Sequence, residues 1–123
     1  MATRALVLFA HGARDPRWAE PFQRMQALIQ RQSPDVKVVL GFLEIMSPRL
    51  PELAAQLAQE GVNDVTVVPV FLGQGGHVMR DLPGIVEELR QAYPQMGFRI
   101  AGAVGEDASV LDAMAAYCLR TLS

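Results

Sequence analysis

Pro69-Val70-Phe71-Leu72-Gly73-Gln74-Gly75-Gly76-His77-Val78-Met79-Arg80-Asp81-Leu82-Pro83 is the stretch on which the architecture turns. A buried apolar run stops, a glycine-rich loop follows, and one of the chain's two histidines stands at its end. An Arg-Asp pair and Leu-Pro then open a helix. His11 arrives in the same way, because Ala5-Leu6-Val7-Leu8-Phe9-Ala10 runs straight into His11-Gly12-Ala13-Arg14-Asp15-Pro16. Short, continuously apolar runs bounded by glycine read as strands covered on both faces. Two of them ending in a histidine and an arginine suggest one site fed from two strand ends.

The intervening sequence fills in the order. Asp15-Pro16 caps a helix whose apolar face is Phe22, Met25, Leu28 and Ile29, running to about Gln32. Residues 36–43 form a second strand that ends at Glu44. Ser47-Pro48 repeats the cap-plus-proline signal before a stripe of Leu50, Leu53, Ala54, Leu57 and Ala58, with Gly61 as the stop. Residues 65–72 are the third strand, with Pro69 near its C-terminal end, where ladder pairing gives out. A helix from about Pro83 carries Ile85, Val86 and Leu89; residues 98–104 are the fourth strand, placed near an edge by Arg99. Glu106-Asp107 opens a last helix with Val110, Leu111, Met114, Ala115, Cys118 and Leu119 on its buried side.

Four β-α units predict an α/β fold: a single four-stranded parallel sheet flanked by helices, flavodoxin-like, with strand order 2-1-3-4. At 123 residues the whole chain, 1–123, reads as one domain. In such sheets ligands bind outside the carboxyl ends of the strands, where the strand order reverses. His11, Glu44 and His77 follow strands one, two and three, so they share that crevice.

Composition narrows the chemistry. A formal net charge of -2 gives no global attraction to nucleic acid or membrane, so electrostatic selectivity must be local. One cysteine, Cys118, excludes an internal disulfide framework and fits a reducing compartment. With no basic-then-apolar leader and no bilayer-length apolar run, the expected location is the cytoplasm.

Imidazole suits divalent cobalt, iron, nickel and zinc. Two imidazoles and a carboxylate leave coordination positions open, which fits transient holding better than a closed structural site. Arg14 and Arg80 each lie three residues beyond a candidate ligand histidine and suit a carboxylate- or phosphate-bearing substrate. Arg17 and Arg49 read as solvated charges. The loop around Gly75 and Gly76 lacks the Lys-Ser/Thr of a P-loop and the spacing of a dinucleotide fingerprint; its glycines leave room for a large flat ligand. No Gly-x-Ser-x-Gly elbow appears, and Ala10 stands where a histidine phosphatase needs arginine.

These motifs, with Phe42-Leu43-Glu44 between them, resemble the short form of the sirohydrochlorin chelatases, of the class II chelatase family. The resemblance covers essentially the whole chain. Ala13 departs from it, where the family often has serine. It implies insertion of Co²⁺, Fe²⁺ or Ni²⁺ into the tetrapyrrole sirohydrochlorin, for cobalamin or sirohaem synthesis, with no organic cofactor. It carries metal-binding and catalytic roles onto His11 and His77 and an acid role onto Glu44, and makes Arg14, Arg80, Gly75 and Gly76 substrate-binding. Long members hold two such domains, so it also implies a homodimer. A metal-delivery module using the same histidines is the alternative, and a flavodoxin-like phosphate-ligand binder a third.

Overall fold

The computed structural model describes residues 3–73 and 76–123, with the side chains of His77 and Val78 outside the description. Strands β1 (Arg4–Ala10), β2 (Lys37–Phe42), β3 (Asp64–Pro69) and β4 (Gly97–Ile100) form one sheet in the order β2-β1-β3-β4, every pair parallel. Helices α1 (Glu20–Gln32), α2 (Leu50–Gln59), α3 (His77–Ala92) and α4 (Ala108–Arg120) follow them in turn. The expected fold and strand order are those found. Among the described residues no helix is long and apolar enough to cross a membrane.

The core lies on one face of the sheet. Val7, Phe9, Val65 and Val67 meet Leu53 and Leu57 of α2 and Leu82 and Val86 of α3, all at most 3% exposed. Of the residues of opposite parity along β1 and β3, which face the other way, Leu6, Thr66 and Val68 are half-buried while Leu8 and Ala10 are buried. That second face belongs to α1, none of whose residues is fully buried. Phe22, Met25 and Ile29 are half-buried as the periodicity predicts, but Leu28 is 49% exposed, because no neighbouring helix closes α1's flanks.

An edge strand offers unpaired backbone groups to other chains. On β2, side chains of α1 occupy several of them. Gln26 Nε2 donates to the Val38 carbonyl at 2.9 Å, and Gln30 Oε1 accepts from the Val38 N–H at 3.1 Å. Gln30 Nε2 also donates to the Val36 carbonyl at 2.6 Å. The opposite edge is β4, where Arg99 points to solvent as its position suggested and donates to Thr66 Oγ1 at 2.9 Å.

Several helix limits differ from the sequence expectation. Asp15 caps a 3-10 turn over Pro16–Ala19, and α1 proper starts after it. Ser47-Pro48, joined by a cis peptide, lies before α2, which begins at Leu50 with Glu52 Oε1 accepting from the Arg49 N–H at 3.2 Å. Helix α3 starts at His77 and carries Pro83 inside it. Proline removes one donor there, but a helix packed through Leu82, Val86 and Leu89 tolerates that loss. β3 and β4 stop at Pro69 and Ile100, short of the apolar runs that encode them.

The largest correction concerns α4. Its apolar side was expected to be core, Cys118 included. Instead Cys118 and Ala115 are exposed, Val110 is half-buried, and Leu111, Met114 and Leu119 are 48%, 41% and 66% exposed. The helix packs mainly against the 3-10 turn Val104–Glu106 just before it. Periodicity identifies a face that needs cover; it does not say that the same chain supplies it.

Candidate active site

β1 and β3 are neighbours in the sheet although β2 lies between them in sequence, so the order reverses between them. Their carboxyl ends deliver the candidate residues. His11 directly follows β1, and α3, reached from β3, begins with His77 behind Gly76. The backbone thus brings both histidine positions to one end of the sheet; the side chain of His77 and all of Gly75 lie outside the described residues.

Glu44 joins His11 by a specific local structure. The chain leaving β2 stays alongside the chain leaving β1, the Leu43 N–H donating to the Ala10 carbonyl at 3.0 Å and the Glu44 N–H to the His11 carbonyl at 3.1 Å. The Met46 N–H then turns back onto the Glu44 carbonyl at 2.8 Å, a three-residue turn with Ile45 at φ +72° in its centre. A β-branched residue in left-handed backbone is strained. Gly12, at φ +103°, completes the packing, for a Cβ there would stand 1.9 Å from the Glu44 carbonyl oxygen. Held in this way, Glu44 Oε1 lies 2.8 Å from His11 Nε2.

That pair is half-open to solvent, with side chains 38% and 52% exposed, so an incoming ion can reach it. A carboxylate oxygen accepts, so in this pair His11 Nε2–H donates to Glu44 Oε1. A carboxylate on the distal nitrogen is the arrangement that orients ligand histidines and raises their basicity. Among the described residues no group of three His, Cys, Asp or Glu forms a closed metal cage. The described donors therefore make an open half-site.

Arg14 and Arg80 are both exposed, the first after β1 and the second one turn into α3. Arg17 is different. Its guanidinium and backbone N–H both bind the Asp15 carboxylate, at 2.8 to 3.2 Å, which lowers the Asp15 pKa and raises that of Arg17. Arg49 is exposed, and its backbone N–H donates to Glu52 Oε1 at the entry to α2. Gly76 sits in left-handed backbone, φ +97°, with open space where a Cβ would point.

Sequence reasoning passed over two side chains here. Ile45 and Leu72 follow the ends of β2 and β3, and are 55% and 63% exposed. Large aliphatics in loops that lead to candidate ligands were the available signal. Leu72 is also anchored, because Gly105 packs so closely on its backbone that a Cβ would come within 1.8 Å of its carbonyl oxygen.

The family model described as CbiX matches residues 5–120. A sirohydrochlorin cobaltochelatase from Methanopyrus kandleri is 34% identical over 79 residues, covering 64% of this chain but 55% of that protein. One from Sulfolobus acidocaldarius is 29% identical over 118 residues, covering 96% of this chain and 92% of its own. Among solved structures, a protein of Marinobacter aquaeolei VT8 provisionally assigned as a cobalamin (vitamin B12) biosynthesis CbiX protein superposes with a TM-score of 0.85 at 26% identity, over 97% of both chains. The sirohydrochlorin chelatase SirB from Bacillus subtilis subspecies spizizenii, solved with cobalt, shares the fold at a TM-score of 0.79 and 20% identity. That match takes 94% of this chain and 49% of SirB.

Proposed function

Because the chain belongs to the CbiX family, we propose that it inserts a divalent metal, Co²⁺ or Fe²⁺, into sirohydrochlorin. The observation that carries this reading is the His11–Glu44 pair, 2.8 Å apart and half-open at the carboxyl end of the sheet. Metal insertion needs a weakly held ion, a bound macrocycle and an acceptor for two pyrrole protons. His11 and His77 hold the ion through imidazole, and Glu44 orients His11 and takes up one pyrrole proton, the second passing to solvent water. The ion enters and leaves as M²⁺, so the reaction calls for no redox step and no organic cofactor.

The tetrapyrrole suits what surrounds the pair. Ile45 and Leu72 offer exposed aliphatic surface to a flat ring. Arg14 and Arg80 offer guanidinium groups to its peripheral carboxylates. Gly76, with open space where a Cβ would point, leaves the backbone approachable, and Gly75 is proposed beside it as substrate-binding. A half-site open on one side fits a working unit of two copies, so the reading includes a homodimer, in a reducing cytoplasm that leaves Cys118 a free thiol.

The test is turnover. Purified protein mixed with sirohydrochlorin and Co²⁺ should shift the macrocycle's absorption spectrum catalytically, and His11→Ala should slow this by orders of magnitude with circular dichroism unchanged. Protein that binds Co²⁺ while the macrocycle stays metal-free would overturn the chelatase reading in favour of metal delivery.

A further inference from the structure

The sheet ends at β2, and a cleft of about 500 Å³ runs along that edge between α1 and α2. Ala19, Phe42, Met46 and Leu53 give it apolar walls. Gln23 and Gln56 bring primary amides to it from the two helices, and no described group bonds either. None of the described residues lining it is ionisable. It therefore has nothing to set against the carboxylates of a polyanion, and it is a different place from the arginine-flanked rim proposed for the macrocycle. Its volume lies in the range of small-molecule sites, which are mostly apolar with a few convergent polar groups.

The backbone of β2 supplies those groups. In a parallel ladder, alternate residues turn both their N–H and their C=O toward the same neighbour. Val38 turns outward, its carbonyl accepting from Gln26 at 2.9 Å and its N–H donating to Gln30 at 3.1 Å. Phe42, of the same parity, donates its N–H to the Pro48 carbonyl at 2.9 Å. Leu40 lies between them on the floor of the cleft, half-buried, and no described group bonds its outward N–H or C=O. A strand adding to this edge would find its neighbours' groups already taken, which disfavours an extended peptide. What fits is a small molecule that meets one residue's donor and acceptor together. An amide held cis in a ring, with N–H and C=O on one edge, has that pattern.

We propose that the cleft is a second binding site, for an uncharged cyclic amide that accepts from the Leu40 N–H, donates to the Leu40 carbonyl and rests its ring on Phe42, Met46 and Leu53. The site communicates with the reactive one. Met46 walls the cleft, and its N–H bonds the Glu44 carbonyl at 2.8 Å in the turn that holds Glu44 against His11. A ligand packed on Met46 therefore bears on the position of that carboxylate.

The probe is 2-quinolone, a neutral bicyclic lactam, titrated into the full-length, isotope-labelled protein and followed by amide NMR. Saturable shifts should appear at Leu40 and Met46, the Leu40 amide proton moving downfield as it gains an acceptor, with Kd of about 1 mM or tighter. N-methyl-2-quinolone, which has the same rings but no N–H, should bind at least tenfold more weakly. Gln56→Trp, at an exposed helix position whose new ring fills the cleft, should abolish the shifts while helical circular dichroism is retained. Equal binding of the two quinolones would show apolar contact without amide recognition and overturn the assignment, as would shifts confined to other parts of the fold. Hydrogen exchange on the ligand-free protein gives a further check: a Leu40 amide already strongly protected would mean that another chain covers this edge, and would overturn the site. The Glu44 amide should move together with Leu40; if it stays still at saturation, the link to the reactive carboxylate is refuted. No readout involves metal or sirohydrochlorin, so absence of turnover would count against the proposed function alone.

Discussion

At the scale of single residues, the geometry of the site depends on a glycine and a strained isoleucine as well as on its ligands. Gly12 is doubly constrained: its φ of +103° disfavours any side chain, and a Cβ would collide with the Glu44 carbonyl. Gly12→Ala should therefore cost about 1–3 kcal/mol from backbone strain alone, with the collision added, read as a fall in the urea midpoint. An unchanged midpoint would show that the two loops separate easily and that Glu44 is not held by this contact. Ile45 makes the converse case. It is 55% exposed, so little burial is lost in Ile45→Gly, and relief of its positive φ offsets the roughly 1 kcal/mol entropic cost of glycine. Stability should stay within about 1 kcal/mol of the natural protein, while kcat falls as Glu44 loses its fixed position against His11. A variant with both stability and kcat intact would relegate the turn to scaffolding.

At the scale of elements, the strands and their order were legible because they rest on local signals that tertiary contacts reinforce. Continuous runs such as Ala5–Ala10 and Val65–Val68, each closed by glycine or proline, have few other readings. Pairing His11 with Glu44 was legible too, since both follow strand ends. The distance between them was not, because it depends on the turn at Ile45, and nothing in Glu44-Ile45-Met46 announces a positive φ. Pro83 misled for a related reason: a proline signals a helix start only when packing does not override it, and Leu82 and Val86, both fully buried, do override it. Helix α4 has little such packing within the chain, so its ends matter more. Asp107→Ala, which removes the acceptor for the Ser109 and Val110 N–H groups, should cost about 1 kcal/mol. Loss of helical circular dichroism at lower urea than the rest of the fold would locate that cost in α4; a single unshifted transition would mean the cap contributes nothing measurable.

At the scale of the whole molecule, charge has to be reconciled with the proposed substrate. The protein carries a formal net charge of -2, which taken as a whole repels a polycarboxylate. Attraction must come from where the positive groups stand. Arg17 is neutralised by Asp15, whereas Arg14 and Arg80 are exposed near the carboxyl end of the sheet and have no described carboxylate in salt-bridge range. Surface guanidinium groups in water interact weakly one by one, and salt screens them over about 10 Å at 0.1 M. Their contribution is therefore to capture and orientation, equally in the ground and transition states, rather than to the insertion step. Arg14→Ala and Arg80→Ala should each raise KM for sirohydrochlorin severalfold at low ionic strength with kcat nearly unchanged, since the loss is of uniform binding. The difference from the natural protein should narrow as salt rises toward 1 M, where screening falls to about 3 Å. A KM indifferent to both substitutions at low salt would show that the macrocycle enters without these arginines. A fall in kcat at constant KM would instead place the arginine in contact with the reacting ring, acting on the insertion step itself.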